Sequence, residues 1–244
     1  MMTGEPNKEY WRGEEVISYE RKQRLLVPRK DEILDAVVDF IPFDKQQDIH
    51  ILDVGAGQGA LSERVLRRFT QARVTLYDSS EEMLSVAEQR LAGHAHRMST
   101  VTGDFNAADW HTSIERPVDA VISAIALHYL RTERRQSFFQ SVFDLLSPPG
   151  CFLNGGAFNT EDSFIQQRAT LRMLEYTQTQ LLETEGKQVA IEKLRENMKR
   201  ESEKAGINRL LLREQCEVLQ QAGFSSVEVV WRYLLMAVVA AYKR

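Results

Sequence analysis

Residues 50–59 read His-Ile-Leu-Asp-Val-Gly-Ala-Gly-Gln-Gly, and this stretch restricts the chain more than any other. Its apolar start, residues 50–54, reads as a buried strand closed by glycines. Past the glycines, Leu61, Val65, Leu66 and Phe69 fall on one face of a helix running from Ala60 to Phe69. Strand, tight glycine turn and helix in direct succession make the first unit of a parallel α/β sheet. Glycines in that turn let the backbone approach a ligand with no Cβ in the way.

The alternation then repeats with short connections. Residues 73–77, 98–101, 118–125 and the stretch from Cys151 read as strands, and residues 81–91 and 134–146 as helices. The run 118–125 is almost entirely apolar, which places it centrally in the sheet. Upstream, Ile33, Leu34, Val37, Val38 and Ile41 recur at helical spacing until Pro42 stops them. Repeated strand–helix units mean a doubly wound α/β fold. The alternation breaks at Asn159. Residues 161–204 are long, polar and helix-favouring, interrupted at Gly186, and read as a helical lid inserted into the fold. A helix over 210–221 and a strand pair, 226–231 and 234–242, close the chain. The expected organisation is an N-terminal cap segment over residues 1–30, a core over 31–158 and 206–244, and a lid over 159–205.

Composition bears on partners. Lys and Arg total 31 against 35 Asp and Glu, a net charge of −4, so bulk charge argues against a nucleic-acid clamp. With 43% hydrophobic residues in 244, the chain reads as globular rather than disordered. No apolar run approaches the roughly 18 residues of a membrane span. The start, MMTGEPNKEYW, lacks a basic segment followed by an apolar one and does not read as a secretory signal. Cys151 and Cys216 are too few for a disulfide framework, as in a reducing compartment. These features point to a cytoplasmic protein with no membrane or nucleic-acid partner, and they are compatible with a homodimer.

Three acids sharpen the glycine turn. Asp53 sits just before it, where a carboxylate suits a positively charged ligand and opposes a pyrophosphate. The glycine spacing is GxGxG, not the GxGxxG of dinucleotide folds. Asp78 ends the next strand about twenty residues on, where an acid accepts both ribose hydroxyls. Asp104, in Gly103-Asp104-Phe105, ends the third strand beside an aromatic ring that suits a nucleobase. Singly, Asp53 also suits a turn cap, Asp78 an N-cap ahead of Glu81 and Glu82, and Asp104 a turn. Together, at successive strand ends, they point to a nucleoside site.

At these motifs the chain resembles the class I S-adenosylmethionine-dependent methyltransferases. LDVGAGQGALS is similar to their first motif. Asp78, Gly103-Asp104-Phe105, VDAVISAIALHYL and LLSPPGCFLNGG are similar to the later ones, and AGFSSVEVVWRYLLMAVVAAYK to the closing helix and hairpin. The resemblance implies a Rossmann-like sheet of seven strands, the last antiparallel, and S-adenosylmethionine as cofactor. It implies that Asp53, Gly55, Ala56, Gly57 and Gly59 hold the methionine end. Asp78 would hold the ribose, with Ser79, Met83, Asp104 and Phe105 around the adenine and Ser123 and Ala124 beneath the ligand. Tyr10, Trp11 and Tyr19 would close over it from the N-terminus.

The resulting expectation is in-line methyl transfer to a small-molecule acceptor, because a lid suits a buried, modest-sized substrate. His128 and Tyr129 follow the fourth strand, near the reacting methyl, and are the candidate catalytic residues. A base is needed only for a protonated acceptor. Asn154, Phe158 and Asn159 face the same cleft, and Met173, Tyr176 and Leu181 of the insertion would line an acceptor pocket. His94, His96 and His111 have no cysteine or acid cluster around them, so no metal site is expected. A narrower resemblance is to the bacterial carboxy-S-adenosylmethionine synthases, which serve tRNA wobble-uridine modification. Gln23, Arg24, Val27 and Pro28 carry it, together with the long insertion. Lys30 and Ala124 stand where that family has tyrosine and asparagine. Its arginine for the extra carboxylate would come from around the insertion, as Arg200 or Arg209. A non-catalytic cofactor-binding module and a nicotinamide-dependent dehydrogenase are the remaining readings. Turnover separates the first from an enzyme, and the GxGxG spacing speaks against the second.

Overall fold

The computed structural model describes residues 11–244. Helices α1 (Glu14–Leu26) and α2 (Lys30–Asp39) precede the first strand, β1 (His50–Val54). Then follow α3 (Ala60–Arg68), β2 (Arg73–Asp78), α4 (Glu81–Arg90), β3 (Met98–Thr102) and β4 (Val118–Ala124). The second half holds α5 (Arg135–Leu145), β5 (Leu146–Ala157), α6 (Ser163–Glu185), α7 (Ile191–Ala205), α8 (Leu212–Gln221), β6 (Ser226–Tyr233) and β7 (Met236–Lys243). No helix among the described residues is long and apolar enough to cross a membrane.

The sheet has seven strands in the order β3-β2-β1-β4-β5-β7-β6. Strands β1 to β5 are parallel, and β7 runs antiparallel to both β5 and β6. Every residue of β1 is buried, the polar His50 and Asp53 included, and residues 236–241 of β7 are too, the latter an unbroken apolar run. Ile33, Val37, Ile51, Val65 and Leu76 join one core layer beneath α2 and α3. Phe138, Phe139, Phe152 and Leu219 join the layer beneath α5 and α8. Apolar area covered on both faces is the main source of stability here, at about 25 cal/mol per Å². The order of strands reverses between β1 and β4. The loops leaving their carboxyl ends diverge there and open a crevice.

Two elements differ from the sequence reading. Residues 14–26 form a helix, α1, where the sequence reading gives only a cap segment with no element of its own. Only Val16 and Leu25 are buried on it, too few to mark an amphipathic period. Polar contacts hold it instead. Gln58 Nε2 donates to Val16 O (2.7 Å), Tyr176 Oη to Arg24 O (3.0 Å), and Arg90 pairs with Glu20. The fifth strand starts at Leu146, ahead of Pro148-Pro149, with a register shift against β4 between Val118 and Ala120. The insertion is two helices, with Gly186 ending α6 in the left-handed region (φ 64°) as its C-cap.

Candidate functional site

The glycine turn leaves β1 at the crevice and is fastened to the end of β2. The N–H groups of Gly55 and Ala56 both donate to Tyr77 O (2.8 and 3.1 Å). Gly55 has φ 71°, and a Cβ there would lie 2.3 Å from Ala126 Cβ, so only glycine fits. Gly59 plays a different part. Its hydrogen faces Ala87, Leu91 and Leu76, which lets α3 settle against the sheet.

Asp78, at the end of β2, takes Gly57 N–H on Oδ2 (2.8 Å) and Ser80 N–H on Oδ1 (2.9 Å). Burial pushes its carboxyl pKa up. Beside it, Ser80 caps α4 through Met83 N–H and donates to Trp11 O (2.8 Å), tying the N-terminal segment to the site. Gly55, Gly57, Asp78, Ser79, Met83, Asp104, Phe105 and Tyr129 line one cleft, together with Trp11 and Tyr19. Its free volume as it stands is about 80 Å³. Trp11 packs edge-on against both Tyr19 (5.3 Å) and Tyr129 (6.1 Å), so an aromatic wall covers the opening. Burial, with Asp78 and Asp53 nearby, raises the Tyr19 phenol pKa, so it stays a proton donor.

A second, smaller hollow adjoins the first through Tyr19, Gly55 and Ile125. Asp53, Lys30, Ala56 and Ala124 line it. Asp53 is 1% exposed and accepts from Ser62 Oγ (2.7 Å). Burial pushes its pKa up to about 7, against the pull of that hydrogen bond. Burial also lowers the Lys30 pKa, and its ammonium lies 5.7 Å from the Tyr19 ring centre. An acid and a cation thus both line the hollow. Ser123 is fully buried beneath it, donating to Val54 O (2.7 Å), and lines neither space.

His128 and Tyr129 part company. Tyr129 borders the cleft. His128 instead lines a small void with Asn154 and Gln215. Burial and the Arg209 charge push the His128 pKa down to about 3, so it is neutral and removed from the cleft. Phe158 is packed in the core, and Asn159 holds the strand segment before α8 through Leu210 O and Arg209 O. Met173 joins the core and Tyr176 anchors α1, so neither lines the cleft. Tyr10 lies outside the described residues.

Four further residues complete the site, of which the sequence singles out Gln23 and Lys30 only through the narrower resemblance and Asn106 and Ala205 not at all. Gln23 lines the cleft, and its buried Oε1 has no hydrogen-bond partner among the described residues. Asn106 takes Arg131 N–H (2.8 Å) and donates to Asp104 and to Tyr129 O, joining the third and fourth strand ends. Ala205, the end of α7, closes the far side. Lys30 follows an arginine in the left-handed region (φ 56°), a turn that sequence does not announce.

Comparisons place this geometry among known proteins. The family model described as a methyltransferase domain matches residues 51–150. The carboxy-S-adenosyl-L-methionine synthase of Nautilia profundicola is 23% identical over 218 residues, covering 89% of this chain and 87% of that protein. The trans-aconitate 2-methyltransferase of Pseudomonas paraeruginosa is 31% identical over 146 residues, 59% of this chain and 46% of that protein. Among solved structures, human N-acetylserotonin methyltransferase in complex with SAM aligns with a TM-score of 0.62 and 16% identity, over 100% of this chain and 60% of that one. A Haemonchus contortus N-methyltransferase holding S-adenosylhomocysteine aligns with a TM-score of 0.65 and 16% identity, over 93% and 46%. These likenesses are of fold, and the chain spans less than two thirds of either neighbour's length.

Proposed function

We propose that this chain, a class I S-adenosylmethionine-dependent methyltransferase by domain and by fold, carries a methyl group directly to a small-molecule acceptor. The observation that carries the reading is one cleft at the strand reversal that gathers a glycine cradle and the acids ending β2 and β3. The residues present fit the cofactor. Asp78 has lone pairs left on both oxygens for a ribose diol. Met83 and Phe105 offer apolar faces to an adenine, with Asp104 at its edge. Asp53 and Lys30 suit the ammonium and carboxylate of an amino acid, and the orphaned Gln23 Oε1 waits for a donor. A volume of about 80 Å³ is below the ~300 Å³ of ordinary ligand sites, so α1 with Trp11 and Tyr19 shifts to admit the cofactor. Closing again, those rings exclude water.

S-adenosylmethionine supplies a methyl already activated by a sulfonium charge. The chain then has only to position the acceptor and keep water out. Tyr129, on the boundary between the cofactor cleft and a side cavity of about 290 Å³, is the residue that touches both partners. His128, neutral and turned away, takes no proton, so the acceptor arrives already able to react. The names of the relatives, a trans-aconitate methyltransferase and a malonyl-[acyl-carrier protein] O-methyltransferase, support a small acceptor.

A second reading has its own observation. The likeness to carboxy-S-adenosyl-L-methionine synthases runs through the insertion and covers most of both chains. Mass spectrometry of the small molecules released from protein loaded with S-adenosylmethionine and desalted separates the two. The methyltransferase reading expects S-adenosylmethionine or S-adenosylhomocysteine. Carboxylated S-adenosylmethionine in protein as purified would favour the second reading, and release of neither cofactor after loading would refute both.

A further inference from the structure

A small void lies at the carboxyl end of β5. Leu127 and His128 line it from the turn after β4, Asn154 and Phe158 from β5 and just beyond, and Leu210 and Gln215 from the chain around α8. It shares no lining residue with the cofactor cleft, the adjoining hollow or the side cavity. Its polar side chains stand among apolar neighbours. Asn154 is 3% exposed in a central strand, level with Ser123 of β4 and Val239 of β7. Gln215 is 1% exposed on α8, and its Nε2 has no hydrogen-bond partner among the described residues. The side chains of His128 and Asn154 make no hydrogen bond among the described residues either. Buried polar groups in a native fold find partners, because an unmet one keeps its full desolvation cost.

We infer that His128, Asn154 and Gln215 form a binding site for one uncharged group that both donates and accepts hydrogen bonds, a water molecule or the hydroxyl or carboxamide end of a small ligand; the site stands whether or not the chain transfers methyl groups. The free volume is about 20 Å³, above the ~10–15 Å³ that one water needs and far below that of a whole ligand. No charged side chain lines the void. Burial holds His128 neutral, so its ring brings one donor and one acceptor, and each amide brings an NH₂ and a carbonyl. A carboxylate or an ammonium finds no countercharge in this lining and keeps its desolvation cost. A hydroxyl or an amide satisfies both kinds of partner. The three side chains come from the turn after β4, from β5 and from α8, so one such group ties these elements together. The same turn carries Tyr129 to the cofactor cleft.

Two experiments on the full chain test the site. In crystals, wild type shows one water within about 3.2 Å of at least two of the three side chains, and Gln215→Leu, close to glutamine in volume, loses it with the surrounding backbone in place. In solution, the side-chain amide NMR signals of Asn154 and Gln215 are followed while formamide or methanol is added, with formate and methylammonium as the charged counterparts. Saturable shifts with formamide or methanol, tenfold or more weaker with the charged probes, assign the site to the hydroxyl or amide of a ligand. An ordered water without such shifts assigns it to solvent, and either result supports the inference. Neither a water nor a shift in wild type overturns it. A charged probe that binds as tightly as its neutral counterpart overturns it too, as does a water that keeps its place in Gln215→Leu. The wild-type results decide the matter if the variant does not fold.

Discussion

Replacing Asp78 with alanine removes the side chain on which the proposed nucleoside site turns. In the structure its two carboxylate oxygens each take one backbone N–H, from Gly57 at 2.8 Å and from Ser80 at 2.9 Å. Each oxygen keeps a lone pair for one ribose hydroxyl. A hydrogen bond to a charged group contributes about 1.5–3 kcal/mol, so two lost bonds amount to about 3–6 kcal/mol. Water enters the vacated space and recovers part of this, leaving about 3–4 kcal/mol, or about 10²–10³ in Kd. Asp78→Asn keeps one acceptor and loses the charge, and weakens binding by about tenfold. Both changes disturb the backbone hydrogen bonds from Gly57 and Ser80, and relief of the buried charge offsets part of that cost. Calorimetric titration with S-adenosylhomocysteine, alongside thermal melts of the ligand-free variants, reads both effects. An Asp78→Ala protein that melts normally and binds within about threefold of wild type would refute the assignment.

Other expectations follow from the same geometry. Asp53 is protonated in the folded protein below about 7 and ionised in the unfolded chain above about 4, so stability falls as pH rises through that window. Asp53→Asn therefore melts higher than wild type near pH 8, by up to about 4 kcal/mol, and the gap closes towards pH 4; an equal gap at both ends contradicts the burial argument. Gly55→Ala forces a Cβ to within 2.3 Å of Ala126 Cβ at a left-handed φ, and destabilises by about 2 kcal/mol or more, read as a lower Tm. His128→Gln leaves the pH–rate profile unchanged between about pH 6 and 8, since His128 titrates near 3; loss of a limb of that profile would make it a base after all.

Much of the core was legible because its signals are local. The strand alternation, Pro42, the glycine turn and the three acids each act within a few residues of themselves, and the seven-stranded sheet places Asp78 and Asp104 at successive strand ends as expected. What stayed hidden depends on contacts far apart in the chain. Helix α1 is held by Gln58, Arg90 and Tyr176, not by an apolar stripe of its own. His128 and Tyr129 are neighbours in sequence, yet the short 3₁₀ turn over Leu127–Tyr129 sends one to the core side and one to the cleft. Asn106 draws its role from partners across the fold, Asp104, Tyr129 and Arg131, which no local pattern announces.

Direct methyl transfer is the centre of this account, and the fate of a labelled methyl tests it most directly. The protein is incubated with S-adenosylmethionine carrying an isotope in the sulfonium methyl and with a library of small-molecule acceptors, and the products are resolved by mass spectrometry. The account predicts unlabelled S-adenosylhomocysteine together with a small molecule that has gained the labelled methyl. Label that stays on sulfur, in a carboxylated S-adenosylmethionine, would contradict it.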